Sequence, residues 1–238
     1  NFYWWLVNSP KKWSGVALFA SHRQVHKDRH TMHTIDRLTH QLEITRLNPD
    51  SAPDISWMKG NIDELLQLVH RSLLSQENYS SHVGKTIEGV PPFVLIVPGG
   101  SAHRPEKRWP VEHYIDLAKF ITQMNMAPVL IGTKAESDVL SQIASAVRGA
   151  VNLCERTNFD QLASLARVAR WAVGNDTGPI HIIAAAHCPV TVIFSHASNP
   201  NKSAPRGEHV RVLQKDNLNE LNVATVWNTR PLSLTGPN

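Results

Sequence analysis

The segment that decides the fold reads Trp171-Ala-Val-Gly-Asn-Asp-Thr-Gly-Pro-Ile-His-Ile-Ile-Ala-Ala-Ala186. Its apolar start predicts a short buried strand at 171–173 that ends at Gly174. Residues 179–186 predict a helix that begins with a proline, which suits the first turn because it has no backbone N–H to leave unpaired. A strand followed at once by a helix is the building unit of a parallel sheet.

The same alternation of apolar runs and helical periods continues on both sides of this segment. Further strands are predicted at 93–97, 128–131, 151–153, 190–194 and 209–213, and further helices at 111–124, 136–147, 159–169 and 221–229. Strands of this kind form parallel sheets that are covered on both faces. The sequence therefore predicts an α/β fold, a Rossmann-like parallel sheet with helices on both faces. Ligands of such sheets bind beyond the carboxyl ends of the strands.

The composition of the chain changes near residue 90. Four of the seven tryptophans and five of the thirteen histidines lie in residues 1–60, and a polar stretch follows at 75–89. Composition shifts of this kind mark domain boundaries. We therefore expect two regions, 1–88 and 89–238, with the parallel sheet in the second.

The charge balance favours an anionic partner. The 238 residues carry 24 Lys and Arg against 20 Asp and Glu, a formal net charge of +4. A modest positive charge attracts anions, but the basic residues are dispersed and are not interleaved with aromatic residues as in nucleic-acid-binding surfaces. We therefore expect a phosphate-bearing ligand and no nucleic acid.

The cysteines and the apolar runs bear on the compartment. Cys154 and Cys188 form neither a CxxC pair nor a disulfide framework, so we expect two buried thiols in a reducing cytoplasm. The apolar run Phe2–Val7 is much shorter than the roughly 20 residues that cross a bilayer. It also lacks the pattern of a signal peptide.

The turn at 174–178 is the strongest candidate for a binding site. A helix that starts there presents free N–H groups and a partial positive charge to an anion. Asp176 or Thr177 is a suitable side chain for capping this helix, and Gly178 lets a ligand approach the backbone. His181 in the first turn is a possible donor to a phosphate oxygen. The alternative is an ordinary capped helix with a packed histidine.

Two further loops carry charged candidates. Residues 98–110 form a Gly-rich turn in which Lys107 is placed to neutralise a diphosphate, and the alternative is a solvated loop lysine. Glu136 follows the strand predicted at 128–131, where a carboxylate can accept hydrogen bonds from a ribose diol. Its alternative is a helix-start carboxylate favoured by the helix dipole.

Other kinds of site are poorly supported by the sequence. His22, His26 and His30 have the i, i+4 spacing that can hold zinc on a helix, but no HExxH is present and the neighbouring Arg and Lys side chains repel a cation. A basic surface that meets an acidic substrate is the alternative for this stretch. Ser195 follows a predicted strand without the GxSxG of a hydrolase elbow.

Taken together, these loops resemble glycosyltransferase family 9, the lipopolysaccharide heptosyltransferase family. The resemblance rests on Lys107-Arg-Trp-Pro110 opening a helix, on Gly132-x3-Glu136, and on Asp176-Thr-Gly-Pro-Ile-His181 followed by three alanines. It extends over residues 93–228. A weaker resemblance covers residues 13–37.

This resemblance implies a fold and a function. Members of the family have the GT-B fold, two Rossmann-like domains with a cleft between them, and the C-terminal domain binds a nucleotide-sugar donor, commonly ADP-heptose. It implies that residues 89–238 are the donor half and that a sugar is transferred, with inversion, to a lipid-linked acceptor of the lipopolysaccharide-core type. The resemblance implies no tightly bound metal or other cofactor. It does imply contact with the inner face of the inner membrane.

The resemblance also implies roles for individual residues. Asp176, Thr177, Gly178 and His181 are similar to the family's diphosphate and sugar contacts. Lys107 is similar to the lysine that meets the phosphates. The stretch at 101–103 departs from the threonine pair of some members, so no role is carried over to it.

Two more roles are implied, and one is left unassigned. Glu136 is similar to the ribose-binding carboxylate, and the base is expected against the loop around Arg156 and Thr157. In the family, a carboxylate in the acceptor half is expected to act as general base. The strand and Gly-rich loop that begin this half are not recognised in the sequence, so we expect 1–88 to be a remnant of the acceptor-side domain.

Two other functions are weighed against the glycosyltransferase. A non-catalytic nucleotide or nucleotide-sugar-binding module shares the donor loops and lacks a base. A dinucleotide oxidoreductase needs GxGxxG after its first strand, and the Pro-Gly-Gly-Ser-Ala at 98–102 does not supply it.

Overall fold

The computed structural model describes residues 14–47, 52–75, 92–100 and 103–231. The run Phe2–Val7, the expected domain boundary at 88/89 and residues 101–102 lie outside these ranges. The chain divides into two compact units, 1–53 with 201–203 and 54–200 with 204–238.

The first unit contains little regular structure. Two short parallel strands, β1 (Ser14–Gly15) and β2 (His22–Arg23), precede the helix α1 (Thr34–Glu43). His26 and His30 lie in a turn rather than on a helix, so the i, i+4 spacing does not align these histidines. No group of three metal-ligating side chains occurs in the described ranges.

The second unit is built on one six-stranded sheet in the order β5-β4-β3-β6-β7-β8, with every pair parallel. The strands are β3 (Phe93–Val97), β4 (Ala127–Leu130), β5 (Val151–Asn152), β6 (Trp171–Asn175), β7 (Val190–Phe194) and β8 (Val210–Gln214). The remaining helices along the chain are α2 (Asp63–Leu74), α3 (Val111–Gln123), α4 (Ser137–Ala146), α5 (Phe159–Val168), α6 (Gly178–Ala185), α7 (Pro200–Ser203) and α8 (Val223–Asn228). The predicted parallel α/β fold is confirmed.

The alternation of side chains along the central strand creates two cores. Phe93, Leu95 and Val97 point into a core shared with α2, α5 and α6, whereas Val94 and Ile96 point into a core shared with α3, α4 and α8. Successive residues of a strand face opposite sides of the sheet, and all five side chains are buried. Helices therefore cover both faces, as the continuous apolar runs predict.

The strand order places a crevice beside the central strand. The helix that follows β3 lies on one face of the sheet, and the helix that follows β6 lies on the other. The loops after these two adjacent strands therefore diverge and leave a crevice between them. Open α/β sheets bind their ligands in such a crevice.

Strand β6 is two residues longer than the predicted 171–173. Gly174 pairs with Val97 on one side and Val192 on the other, and Asn175 continues the pairing with β7. A Cβ on Gly174 would lie only 2.4 Å from the carbonyl oxygen of Val97. The glycine that was expected to end the strand is instead the residue that lets two backbones approach inside it.

Helix α2 packs against the sheet of the second unit. Leu65, Val69 and Leu73 are buried in the same core as the odd-numbered residues of β3. The sequence-based division counts this helix with residues 1–88. Its apolar face, which repeats at helical spacing, is buried by the Rossmann-like sheet.

The expectation of two buried thiols is correct for Cys188 and wrong for Cys154. Cys188 is buried between α6 and β7, and burial raises the pKa of its thiol. Cys154 is half-buried because it follows the two-residue edge strand β5, and its Sγ lies 3.3 Å from the carbonyl oxygen of Thr133. Within the part of the chain that the structure describes, no helix is long and apolar enough to cross a bilayer.

Candidate functional site

A cavity of about 370 Å³ lies at the carboxyl ends of β3, β4 and β6 and reaches the loop after β5. This volume is within the range of small-ligand sites. Five of the residues singled out in the sequence line it together: Glu136, Thr157, Asp176, Thr177 and Gly178. The other two, Lys107 and His181, join the site through Asp176.

Asp176 is the centre of a charged cluster. Lys107 Nζ lies 3.6 Å from its Oδ2, and His181 Nε2 lies 3.8 Å from its Oδ1. The side chains of Lys107 and Asp176 are only 18% and 12% exposed. Lys107 is therefore a half-buried, paired lysine rather than the solvated loop lysine that was its alternative.

The pKa of Asp176 reflects these neighbours. Burial of the carboxylate raises its pKa, but the side chains of His181 and Ser198 and the charge of Lys107 together lower it by more. The pKa of Asp176 therefore lies below its ordinary value, and the carboxylate is ionised at neutral pH.

The start of α6 lacks a side-chain cap. Thr177 occupies the N-cap position, but its side chain makes no capping hydrogen bond. Its Oγ1 is buried and has no hydrogen-bond partner among the described residues, although buried hydroxyls are normally paired. Of the two suggested caps, Asp176 or Thr177, the structure has Thr177 at the N-cap position without a capping bond, and the first N–H groups of the helix remain available to a ligand.

Gly178 leaves the helix start open. A Cβ built on this residue meets no described atom within 4 Å beyond its own neighbours. The glycine is therefore not required by protein packing. It leaves room for another molecule to approach the backbone.

Glu136 caps the start of a helix and also lines the cavity. Its Oε2 accepts hydrogen bonds from the backbone N–H of Thr133 at 2.9 Å and from Thr133 Oγ1 at 2.7 Å, which completes a capping box. The same carboxylate lines the cavity and lies against Gly99, whose missing side chain gives it space. The capping bonds fix the orientation of the carboxylate at the cavity wall.

Sequence reasoning missed Asn175, which organises the site. This side chain is fully buried at the end of β6. Its Nδ2 donates to the carbonyl oxygens of Pro98 and Gly99, and its Oδ1 accepts from the backbone N–H of Trp109. A polar residue at the end of a buried strand was the available signal.

The arginines of the 98–110 loop are pinned to the backbone. Arg104 Nη1 donates to the carbonyl oxygen of Ala197 at 3.0 Å, and Arg108 Nη2 donates to that of Gly100 at 2.8 Å. Trp109 is buried and donates from Nε1 to the carbonyl oxygen of Leu221. These contacts hold the loop so that Lys107 reaches Asp176.

The profile of glycosyltransferase family 9 (heptosyltransferase) matches residues 11–226, which include every residue of the cavity wall. The chain belongs to glycosyltransferase family 9. The sequence resemblance to this family is thereby confirmed.

Curated relatives of this family 9 protein are heptosyltransferases. It is 29% identical over 128 residues to lipopolysaccharide heptosyltransferase 2 of Escherichia coli K12, an alignment that covers 52% of this chain and 36% of the relative. The match therefore spans little more than a third of that relative's length.

Solved structures of the family share its fold. The E. coli ADP-heptose lps heptosyltransferase II superposes with a TM-score of 0.61 at 21% identity, covering 88% of this chain and 64% of that one. The E. coli heptosyltransferase WaaC, solved with ADP, gives a TM-score of 0.61 at 16% identity and covers 88% and 58% of the two chains.

Proposed function

We propose that this chain is the donor-binding part of a glycosyltransferase, the C-terminal half of a GT-B fold with a remnant of the acceptor-side domain. It transfers a heptose, with inversion, from a nucleoside-diphosphate heptose to an acceptor of the lipopolysaccharide-core type. The observation that carries this proposal is the cavity at the strand crevice, where an uncapped helix start, Lys107 and Glu136 meet. Membership of family 9 and an ADP complex of a structural neighbour support it.

The diphosphate end of the donor is assigned to the start of α6. The N–H groups of Thr177 and Gly178 and the unpaired Thr177 hydroxyl are donors for phosphate oxygens. Lys107 supplies a positive charge beside them. Asp176 holds Lys107 and His181 in place, and its remaining acceptor capacity suits a sugar hydroxyl.

These groups also stabilise the reaction. An acceptor hydroxyl loses its proton to a general base and attacks the anomeric carbon, and the bond from that carbon to the diphosphate breaks. Negative charge grows on the leaving diphosphate, where Lys107, His181 and the helix N–H groups are already oriented. The general base is left unassigned. The reaction as proposed needs no metal or other cofactor.

The first unit offers a surface for a lipid-linked acceptor. Val16, Leu18 and Phe19 form an uncharged apolar turn, and Phe19 is 86% exposed. The exposed basic side chains of Arg23 and Lys27 follow it closely in the chain. Apolar tips flanked by basic residues bind anionic bilayers, so we place this turn at the cytoplasmic face of the inner membrane.

Vesicle sedimentation tests the membrane contact. The protein is expected to bind vesicles that contain phosphatidylglycerol and not those of phosphatidylcholine, with Phe19→Ser lowering the bound fraction several-fold. Leu74→Ser is the matched control, because Leu74 is also exposed but lies at the end of α2. Equal loss in both variants, or equal binding to both vesicles, contradicts the assignment.

Calorimetric titration with ADP, UDP, GDP and CDP tests the donor site. We expect ADP to bind, and we expect Lys107→Ala to weaken it about 10- to 100-fold, the usual effect of losing a charge-assisted hydrogen bond. Lys119→Ala is the matched control, because Lys119 forms an exposed ion pair with Asp116 on α3. Absence of binding by all four nucleotides, or equal effects of the two variants, contradicts the proposal.

A non-catalytic nucleotide-sugar-binding module is the alternative function. It predicts the same titration results, because it uses the same cavity. Release of ADP from ADP-heptose in the presence of acceptor separates the two, since only the transferase consumes the donor.

A further inference from the structure

An exposed aromatic ring stands at one end of the cavity. Phe159 is the first residue of α5 and is 67% exposed, yet it lines the cavity together with Leu162 and Ile131. The buried residues of α5 follow the helical period at 162, 163, 165 and 166. Phe159 shares the helical face of Leu162 and Ala163, but it lies in the first turn of α5 and the core does not cover its ring.

The backbone that carries this ring is firmly held. Asn158 Oδ1 accepts from the backbone N–H of Gln161 at 2.8 Å, and Gln161 Oε1 accepts from the backbone N–H of Asn158 at 3.1 Å. These reciprocal bonds form a capping box around Phe159. A side chain on such a fixed turn loses little further freedom when a ligand covers it.

The strand order determines which residues follow one another along the cavity wall. Its wall runs from the start of α6 after β6, past β3, to Glu136 after β4 and to Phe159 after β5. Neighbouring strands are about 4.8 Å apart, so these three steps extend over about 14 Å. With phosphates at α6 and a ribose at Glu136, the third part of a nucleotide, its base, reaches Phe159.

We propose that Phe159 is the stacking platform for the nucleobase of the donor. This inference rests on the proposed function and adds a residue that contributes to donor selectivity. Every base has a π-face, so stacking strengthens binding of all four nucleotides. Purines cover more of the ring than pyrimidines, so ADP and GDP gain more from it than UDP and CDP.

The test compares ADP with ribose 5-diphosphate, which keeps the sugar and phosphates and lacks the base. Phe159→Ala is expected to weaken ADP about tenfold or more, the usual effect of losing one stacked base. Ribose 5-diphosphate is expected to bind wild type and variant equally. Phe159→Trp is expected to restore ADP affinity. Met124 is another exposed side chain, at the end of α3. Met124→Ala is expected to leave the affinities for ADP and for ribose 5-diphosphate unchanged.

The outcomes separate this inference from the proposed function. If wild type binds ADP but Phe159→Ala leaves its affinity unchanged, or weakens both ligands equally, Phe159 does not stack on the base and the donor site stands. If Phe159→Leu binds ADP as tightly as wild type, an apolar contact replaces stacking and the inference fails. If wild type binds neither ligand, the donor site itself is wrong and the inference falls with it.

Discussion

The side-chain oxygen of Asn175 accepts a hydrogen bond from the backbone N–H of Trp109 across 3.1 Å. Through its Nδ2, the same buried amide holds the carbonyl oxygens of Pro98 and Gly99 at 3.0 and 2.9 Å. The end of β6 is thus tied to both ends of the loop that contains Lys107. The pairing of Lys107 with Asp176 therefore depends on Asn175, which makes no charged contact itself.

Removing this amide is expected to impair both folding and ligand binding. Asn175→Ala leaves two carbonyl oxygens and one N–H without their side-chain partner, and each lost buried hydrogen bond destabilises by about 1–3 kcal/mol. Because the loop is no longer anchored, we expect ADP affinity to fall about tenfold in calorimetry at temperatures where the variant is folded.

Thr191→Val is the matched control for this prediction. Thr191 is equally buried, and its Oγ1 accepts a hydrogen bond from Trp171 Nε1 at 3.1 Å within the sheet. The control is expected to lower the melting temperature and to keep ADP affinity. A similar loss of affinity in both variants would show that Asn175 acts through general stability alone.

Two glycines near the site are expected to respond in opposite ways. Gly174→Ala places a Cβ 2.4 Å from the carbonyl oxygen of Val97, so it should destabilise the fold by about 3 kcal/mol, the upper part of the usual range for overpacking. Gly178→Ala meets no described atom and should change stability by less than about 0.5 kcal/mol.

The two glycine variants differ again in ligand binding. Gly178→Ala adds a methyl group where the proposed diphosphate approaches the helix, so we expect ADP affinity to fall about tenfold while the denaturant midpoint stays unchanged. Unchanged affinity in this variant would place the ligand elsewhere on the cavity wall.

The lowered pKa of Asp176 predicts a loss of stability on the acid side. The unfolded chain takes up the proton near the ordinary pKa of 3.8, before the folded protein does. The stabilisation is therefore complete above about pH 4 and is lost as the pH falls through the lower folded-state pKa. In denaturant titrations at about pH 6 and pH 3, Asp176→Asn should lose less stability between the two pH values than wild type. An identical pH dependence would show that the carboxylate gains nothing from its neighbours.

The two thiols are expected to react at different rates with a thiol reagent. Cys154 is half-buried, and desolvation together with the charges of Glu155 and Glu136 raises the pKa of its thiol. It should therefore react slowly at neutral pH and faster as the pH rises, because the thiolate is the reactive form. Cys188 should react only after unfolding. Rapid reaction of both thiols in the native protein would contradict this assignment. The Cys154→Ser variant shows which part of the reaction belongs to Cys154.

The strands and helices of the second unit could be predicted because their signals are local. The run Phe93–Val97 is continuous and apolar, and the helix after it repeats apolar residues at helical spacing, so both appear near their predicted positions. The end of β6 could not be predicted. In the sequence alone, Gly174 indicates a turn. Only its pairing with the strands on both sides shows that a residue without a side chain is required inside the sheet.

The candidate site divides in the same way. The residue types at 107, 136 and 174–181, and their positions after strands, identify the family from the sequence alone. The capping bonds of Glu136, the half-buried pair of Lys107 with Asp176, and the buried bonds of Asn175 join residues from 3 to 77 positions apart. Such contacts leave no periodic pattern in the sequence.

The sequence by itself determined the parallel α/β fold, the loops that carry the site and the family, because apolar periodicity and short motifs are written in consecutive residues. Only the tertiary structure decided that Thr177 leaves its helix uncapped, that Asn175 anchors the Lys107 loop, and that Phe159 stands exposed at the cavity. The order of strands in a sheet is set by packing between distant segments. That order brings the helix start of α6, Glu136 and Phe159 to one cavity wall.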